Sequence, residues 1–79
     1  MPAVLVLLKC KPEMVSRFES LAREMIAYTR ENEPDCLRYE YWRLTEPNSY
    51  CVLETYNEVD DFYAHEAGAR HRALAPAFL

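Results

Sequence analysis

Hydrophobic positions change their spacing from segment to segment along the chain, and the changes predict strand, helix, strand, strand and helix in that order. Residues 3–8 are a short apolar run whose length favours a strand. Both faces of this run are apolar, which predicts a central strand covered on two sides. From Met14 to Thr29, hydrophobic residues recur at steps of three and four, as in an amphipathic helix. Pro12 suits the start of this helix, and Pro34 predicts its end because the residue before a proline avoids the helical conformation.

The next two segments alternate with a period of two and predict a β-hairpin. The alternation of residues 36–43 divides the side chains between two faces, with Leu37, Tyr39 and Tyr41 on one and Arg38, Glu40 and Trp42 on the other. Residues 46–49 have the composition of a turn, and residues 50–56 form the partner strand. If Arg43 pairs with Tyr50, the register places two cross-strand pairs on one shared face: Tyr41 with Val52, and Tyr39 with Glu54.

A second helix is predicted after the hairpin. Asn57 is a good N-cap, and Asp60 stands where the acid of a capping box would lie. Gly68 weakens this helix, so we expect a short second piece over residues 69–75, ending at Pro76.

The order of elements is that of the βαββα part of a ferredoxin-like α+β fold, in which an antiparallel sheet carries both helices on one face. The other face would expose one side of the first strand together with Trp42, Cys51 and Leu53, a large apolar patch. Back-to-back packing of two sheets in a twofold dimer would cover this patch. It would also help a chain of 79 residues, which by itself buries only roughly 60% of its surface. We therefore predict one domain, residues 1–79, that forms a homodimer.

Composition narrows the classes of function. A formal charge of −4 and a pI of about 5.1 weigh against a nucleic-acid partner. The single glycine excludes the glycine-rich motifs that hold phosphates and dinucleotides, so flavin and nicotinamide binding are not supported. Cys10, Cys36 and Cys51 match neither disulfide nor metal spacing and are expected to be reduced thiols, which favours the cytoplasm. The apolar start is too short to span a bilayer and lacks a signal-peptide pattern, so no membrane partner is expected.

Polar side chains at predicted core positions are the candidates for chemistry. His65 is the candidate base, because an imidazole takes and returns a proton near neutral pH; the alternative is a half-buried histidine packed in the core. Glu54 is costly to bury without an Arg or Tyr partner, and it either contacts a ligand or anchors the sheet to a helix. Tyr39, Tyr41 and Tyr56 either line a pocket for a flat aromatic ligand or belong to an ordinary core.

A metal site is not predicted. His71 follows His65 by six residues, a spacing that does not place two ligands on one face of a helix.

Several segments, in this order along the chain, carry a pattern found in one protein family. They are YTRENEP (28–34) leading into CLRY (36–39), then EP (46–47), YCVLETY (50–56) and AH (64–65). Together they resemble the antibiotic biosynthesis monooxygenase family, whose members include cofactor-independent quinol and polyketide oxygenases. The resemblance covers nearly the whole chain and implies a dimeric α/β barrel. It also implies that His65 is the recurrent histidine of the family and that Asn32 lies near the pocket mouth. The alternative for Asn32 is an ordinary helix terminator.

The sequence departs from this family at several positions. Asp35 stands where the family usually has glycine, a change that a turn tolerates. The final strand of the family, which often crosses to the partner subunit, has no counterpart before Leu79, so we expect the sheet without it. Haem-degrading relatives use the same histidine as an axial ligand, with an asparagine on the first strand and a tryptophan on the third. Here the first strand has no asparagine and Tyr56 replaces the tryptophan, so no cofactor is expected and haem is the weaker alternative.

Residues and resemblance together predict a cofactor-independent monooxygenase that acts on a quinol or polyphenolic aromatic substrate and dioxygen. His65 would be the base, Tyr39, Glu54 and Asn32 would orient substrate oxygens, and Tyr56 would stack on the ring. Two alternatives stay open. One is a non-catalytic dimeric binding or stress-associated module, and the other is an isomerase or lyase that uses His65 for proton transfer without oxygen.

Overall fold

A computed structural model of the chain describes residues 1–77 and contains an antiparallel sheet with helices packed on one side. The strands are β1 (Ala3–Lys9), β2 (Cys36–Arg43) and β3 (Ser49–Tyr56), arranged in the order β1-β3-β2. The helices are α1 (Val15–Asn32), α2 (Val59–Ala67) and α3 (Ala69–Arg72), with short 3₁₀ turns at Pro12–Met14 and Ala75–Ala77. This arrangement confirms the predicted α+β fold with the ferredoxin-like βαββα order.

The hairpin has the register that the alternating pattern predicts. Arg43 lies opposite Tyr50, Tyr41 opposite Val52, and Tyr39 opposite Glu54. In the turn, Asn48 has a φ of 60°, a left-handed conformation that Asn tolerates better than most residues. The register therefore brings Tyr39 and Glu54 together on the buried face of the sheet.

The prediction that Leu37 shares a face of the sheet with Tyr39 and Tyr41 is wrong. A β-bulge between Cys36 and Arg38 adds one residue to β2, and Leu37 is half exposed instead of sharing the buried face with Tyr39. A bulge leaves its extra residue unpaired and re-aims the strand, so simple alternation fails at that point.

The predicted central position of β1 is also wrong. Within the described chain β1 pairs with β3 alone and lies at the edge of the sheet. Val6 and Leu8 pack against the core, whereas Leu5 and Leu7 are largely exposed on the opposite face. Both faces of β1 are apolar, but residues of the described chain cover only the face that carries Val6 and Leu8.

Helix α1 covers the other face of the sheet. Its buried residues follow the predicted helical spacing and are Phe18, Ala22, Met25 and Thr29. The Phe18 ring packs against Tyr50 and Tyr41, at centroid distances of 4.8 and 6.0 Å. None of the described helices is long and apolar enough to cross a membrane.

Helix α2 begins one residue later than predicted. Glu58, not Asn57, is the N-cap, and its capping box uses Asp61 instead of Asp60. Asn57 is occupied elsewhere, because its backbone N–H donates to the Asp35 carbonyl oxygen at 3.0 Å and its side-chain amide donates to Asp35 Oδ1 at 2.9 Å. These bonds join the start of α2 to the turn before β2.

Glu19 of α1 connects the helix to the hairpin. Its carboxylate accepts hydrogen bonds from Arg43 at 3.0 and 2.7 Å and from the Tyr50 hydroxyl at 2.7 Å. The bond from Arg43, followed by that from Tyr50, lowers the pKa of Glu19 from 4.5 to about 2. Because the pKa is lower in the folded chain, the stabilisation is complete above pH 4.5 and is lost as the pH falls towards 2.

We therefore expect Glu19→Gln to lower the free energy of unfolding by about 1 kcal/mol at pH 7, a modest value because Arg43 is largely exposed. The difference from the wild type should shrink as the pH falls from 4.5 to 2, because the wild-type carboxylate then becomes neutral as well. Urea denaturation across this pH range measures the difference. Glu24→Gln, at an exposed position of the same helix, is the matched control. A difference that does not change with pH would contradict this explanation.

Candidate active site

His65 lies on the inner side of α2, where its imidazole is enclosed by aromatic rings. The side chain is 0% exposed, and the ring centroid lies 4.7 Å from that of Tyr39 and 6.0 Å from that of Tyr56. Its Nδ1 atom lies 2.8 Å from Glu33 Oε1. Its Nε2 atom has no hydrogen-bond partner within residues 1–77 and lies 3.9 Å from Glu54 Oε1, beyond hydrogen-bonding distance. One ring nitrogen is therefore bound to a carboxylate, and the other is buried and unpaired.

Glu54 is held beside this ring by a tyrosine, the kind of partner that the sequence predicts for a buried acid. Tyr56 Oη donates a hydrogen bond to Glu54 Oε1, and both side chains are buried. Burial, and then the bond to Glu54, raises the pKa of Tyr56 far above its ordinary value of 10. Tyr56 therefore keeps its proton and remains a donor at neutral pH.

The Tyr39 and Tyr41 hydroxyls form a second hydrogen-bonded pair, at 2.7 Å. Burial raises the pKa of Tyr39 well above its ordinary range and that of Tyr41 to about 12. Since one hydroxyl donates to the other, the pair keeps one further O–H that can bond a ligand.

A cavity of about 250 Å³, here called the inner cavity, lies between the sheet and the helices that follow it. Its walls are mainly aliphatic and aromatic, from Val6, Leu8, Tyr39, Tyr41, Val52, Phe62 and Leu74, with polar groups from Glu54, Glu66 and His71. Apolar walls with a few polar groups are typical of sites for small molecules. The volume is just below the usual range of about 300–1,000 Å³ for ligand pockets, which favours a small ring system.

A second cavity of about 500 Å³, here called the outer cavity, lies between the C-terminal end of α1, the start of β2 and α2. It is larger, but carboxylates such as Glu33, Asp35 and Asp61 line it, and it is open to solvent. His65 and Tyr56 contribute to its floor. The inner cavity is the better candidate for an aromatic ligand, because its walls are more apolar and better enclosed.

The structure brings most of the predicted residues together. Tyr39, Glu54, Tyr56 and His65 form one cluster, in which Tyr39 and Glu54 line the inner cavity. Tyr56 contributes to the outer cavity instead, and Asn32 lines that cavity too. The Asn32 side chain is exposed and donates to the Tyr28 carbonyl oxygen at 3.0 Å, as a helix-terminating residue does. Asn32 therefore shares the outer cavity with His65 and Tyr56 but does not line the inner one.

The sequence pattern does not point to two residues of the site, Glu33 and His71. Glu33 is not among the candidate residues, and nothing in its neighbours indicates a partner 32 residues away. The six-residue spacing of His65 and His71 does not place two side chains on one helix face, but the chain breaks at Gly68 and the two rings lie 5.1 Å apart. Burial, and then the proximity of His65, lowers the pKa of His71. Residues 1–77 contain no group of three or more His, Cys, Asp and Glu side chains that could hold a metal ion.

The sequence profile of one family, described as antibiotic biosynthesis monooxygenase, matches residues 1–77. The chain belongs to this monooxygenase family. It is similar to a solved structure named as a “putative antibiotic biosynthesis monooxygenase” from Caulobacter crescentus CB15, with 31% identity, a TM-score of 0.86, and coverage of 96% of this chain and 76% of that one. Another solved antibiotic biosynthesis monooxygenase has 27% identity and a TM-score of 0.84. The match covers 96% of this chain and 80% of that one.

The same fold occurs in more distant proteins. A conserved protein from Methanosarcina mazei Go1 has 22% identity and a TM-score of 0.82, with 96% of this chain and 79% of that one covered, and at this identity the likeness shows the fold alone. Among curated proteins no significant match to the chain is found. Family membership thus rests on the profile and on the more similar monooxygenase structures.

In this member of the monooxygenase family, the imidazole of His65 does not itself line the inner cavity, but its neighbours Tyr39 and Glu54 do. Glu54 forms part of the cavity wall, and His65 Nε2 lies 3.9 Å from its Oε1 atom. One hydroxyl oxygen placed against Glu54 can bridge a gap of this size, so it also comes within reach of Nε2. The arrangement can therefore remove a proton from a hydroxyl group in a largely water-free setting.

Proposed function

We propose that this chain is a cofactor-independent monooxygenase that oxidises a quinol or another polyphenolic aromatic with dioxygen in the inner cavity. The observation that carries the proposal is the buried, unpaired Nε2 atom of His65, which lies 3.9 Å from Oε1 of Glu54, a residue that lines the apolar cavity of about 250 Å³. A buried polar atom without a partner is costly unless a ligand uses it. Membership of a family of monooxygenases supports oxygen chemistry over other uses of such a base.

The reaction needs no oxidant other than dioxygen. His65 Nε2 takes a phenolic proton, and the resulting anion gives electrons from its ring to dioxygen. A bond forms between a ring carbon and oxygen, and His65 returns the proton to the hydroperoxide. The O–O bond then breaks, one oxygen atom stays on the ring as a carbonyl group, and the other leaves as water with the hydrogen of that carbon. The substrate is oxidised to a quinone, and dioxygen is reduced.

The other residues support this step in different ways. Glu54 and the Tyr39–Tyr41 hydroxyl pair line the inner cavity and would orient the oxygens of the substrate. The ring walls exclude water, which protects the anion from protonation. Tyr56 would act through Glu54, to which it donates, since its own ring does not line this cavity. The cavity suits one small ring system better than a porphyrin, which supports a reaction without haem.

We further propose that the active form is a homodimer in which two sheets pack back to back. Leu7 on β1 is 71% exposed and Trp42 on β2 is 55% exposed, and both lie on the sheet face that the helices leave uncovered. Apolar patches of this kind mark interaction surfaces. A second copy of the same face is a fitting partner, because a twofold axis makes an apolar face self-complementary.

We expect the wild-type chain to sediment at micromolar concentration with the mass of two chains, and Leu7→Lys to shift it to the mass of one, because the substitution would bury an unpaired charge between the sheets. Val59→Lys is the matched control, since Val59 is 51% exposed but lies on α2, away from this face. A wild-type mass of one chain, or a dimer that survives Leu7→Lys, would contradict the proposed interface.

Oxygen consumption with menadiol and with single-ring quinols tests the activity. We expect uptake that depends on both protein and substrate, with smaller rings favoured by the cavity volume. Binding of these compounds without oxygen uptake would favour the non-catalytic module. Conversion of a substrate to an isomer without oxygen would favour an isomerase.

A further inference from the structure

The backbone of Glu33 is fixed on both sides. Glu33 is the C-cap of α1, and its N–H donates to the Thr29 carbonyl oxygen at 2.9 Å. Its own carbonyl oxygen accepts from the Cys36 N–H at 3.0 Å. Pro34 follows and keeps Glu33 out of the helical conformation, and Glu33 has a φ of −126° and a ψ of 74°. The backbone from which the carboxylate extends is therefore held in place.

The Glu33 side chain reaches from the outer cavity to the buried imidazole. It is 26% exposed, while the His65 ring that it meets is 0% exposed, with Oε1 2.8 Å from Nδ1. A deprotonated carboxylate can only accept a hydrogen bond, so the proton between the two atoms belongs to the ring nitrogen. The other ring nitrogen, Nε2, has no acceptor within hydrogen-bonding distance among the described residues. A proton on Nε2 would be a buried donor without a partner, which is costly.

We propose that Glu33 is the positioning residue of this site: it holds the proton of His65 on Nδ1, so that Nε2 is left with a free lone pair directed to the Glu54 side. The same carboxylate stabilises the imidazolium that forms when Nε2 takes a proton, as the acid of a Ser-His-Asp triad does. The role in catalysis rests on the proposed function. The position of the proton is a property of the resting protein and can be measured without any substrate.

The tautomer is read by NMR of the ¹⁵N-labelled protein, in which the two ring nitrogens of a histidine give distinct signals in each tautomer. In the wild type we expect the neutral form of the His65 ring to carry its proton on Nδ1. In Glu33→Ala we expect this preference to be lost, whereas Glu31→Ala should match the wild type. Glu31 is an exposed carboxylate two residues earlier on α1 and is the control for a change of charge at that helix end.

Steady-state oxygen uptake gives the second readout. We expect Glu33→Ala to lower kcat by roughly 100-fold with KM changed little, less than the ~10⁴-fold loss known for a fully buried triad acid, because Glu33 is partly exposed. Glu31→Ala should retain the wild-type kcat.

Two kinds of result would overturn the inference. The first is a wild-type spectrum in which the neutral His65 ring carries its proton on Nε2, a result that needs no variant to fold. The second is a Glu33→Ala protein that keeps the wild-type tautomer or the wild-type kcat. A protein with the expected tautomer but no oxygenase activity would instead refute the proposed function and leave the placement of the proton intact.

Discussion

Replacing His65 with alanine should lower kcat for quinol oxidation by about 10³-fold, the contribution typical of a well-placed general base. The Nε2 atom of His65 is the unpaired acceptor next to Glu54, which lines the inner cavity. Glu54 alone does not replace it, because its Oε1 atom already accepts from Tyr56. Oxygen uptake under saturating substrate measures the effect. The residual rate should reflect the apolar cavity and the orienting groups that remain.

His65→Asn separates catalysis from folding. An amide can still donate to Glu33 and fill part of the buried space, but it cannot take a proton. We expect His65→Asn to be as inactive as His65→Ala while its thermal stability lies closer to that of the wild type. Turnover within tenfold of the wild type in either variant would refute the assignment of His65 as the base.

Replacing Tyr56 with phenylalanine should have the largest effect on stability among single-atom changes at the site. Tyr56 is 0% exposed and donates to Glu54, which is also buried. Without this hydroxyl, Glu54 Oε1 loses its donor in a setting that water reaches poorly. Leaving a buried polar group unsatisfied costs about 1–3 kcal/mol, and more when the group is charged. We therefore expect the free energy of unfolding to fall by about 3 kcal/mol at pH 7, measured by urea denaturation.

Tyr63→Phe is the matched control, because Tyr63 is exposed on α2 and loses the same single oxygen atom. Its effect should stay within about 0.5 kcal/mol. A double-mutant cycle with Glu54→Gln adds a second check. Tyr56→Phe should cost less stability in the Glu54→Gln background, because an amide tolerates the lost donor better than a carboxylate. Equal losses for Tyr56→Phe and Tyr63→Phe would show that the bond to Glu54 contributes nothing to stability.

Much of the fold follows from local patterns in the sequence. Helix α1 is predicted because its apolar stripe runs unbroken from Met14 to Thr29, and burial of that stripe decides the structure. The hairpin register is predicted because a slip of one residue would turn Tyr39 and Tyr41 to the wrong face. Such features depend on spacing within one segment, and spacing is visible in the sequence.

The errors occur where a tertiary contact competes with a local preference. Asn57 is a good N-cap by type, yet its amide bonds to Asp35 and the cap moves to Glu58. Leu37 follows the alternation until a bulge shifts it. Neither partner can be identified from neighbouring residues, because both depend on how the turn before β2 meets the rest of the chain.

In the candidate site, too, local patterns predict some residues and tertiary contacts determine the others. The pairing of Tyr39 with Glu54 follows from the hairpin register, and His65 stands out as an ionisable residue at a helix position expected to face the core. Glu33 does not stand out, because a glutamate before a proline is ordinary turn chemistry. Its role depends on the place where α2 crosses the end of α1, which only the folded chain defines.

The most direct test of the central claim is oxidation of a quinol under ¹⁸O₂, followed by mass spectrometry of the product. The proposed reaction breaks the O–O bond and leaves one oxygen atom of dioxygen on the ring. We therefore expect the quinone formed by the wild type to carry one ¹⁸O atom, and His65→Ala to form almost none of this labelled product. A quinone without label, or equal labelling with and without His65, would contradict the assignment of this chain as a monooxygenase that uses His65 as its base.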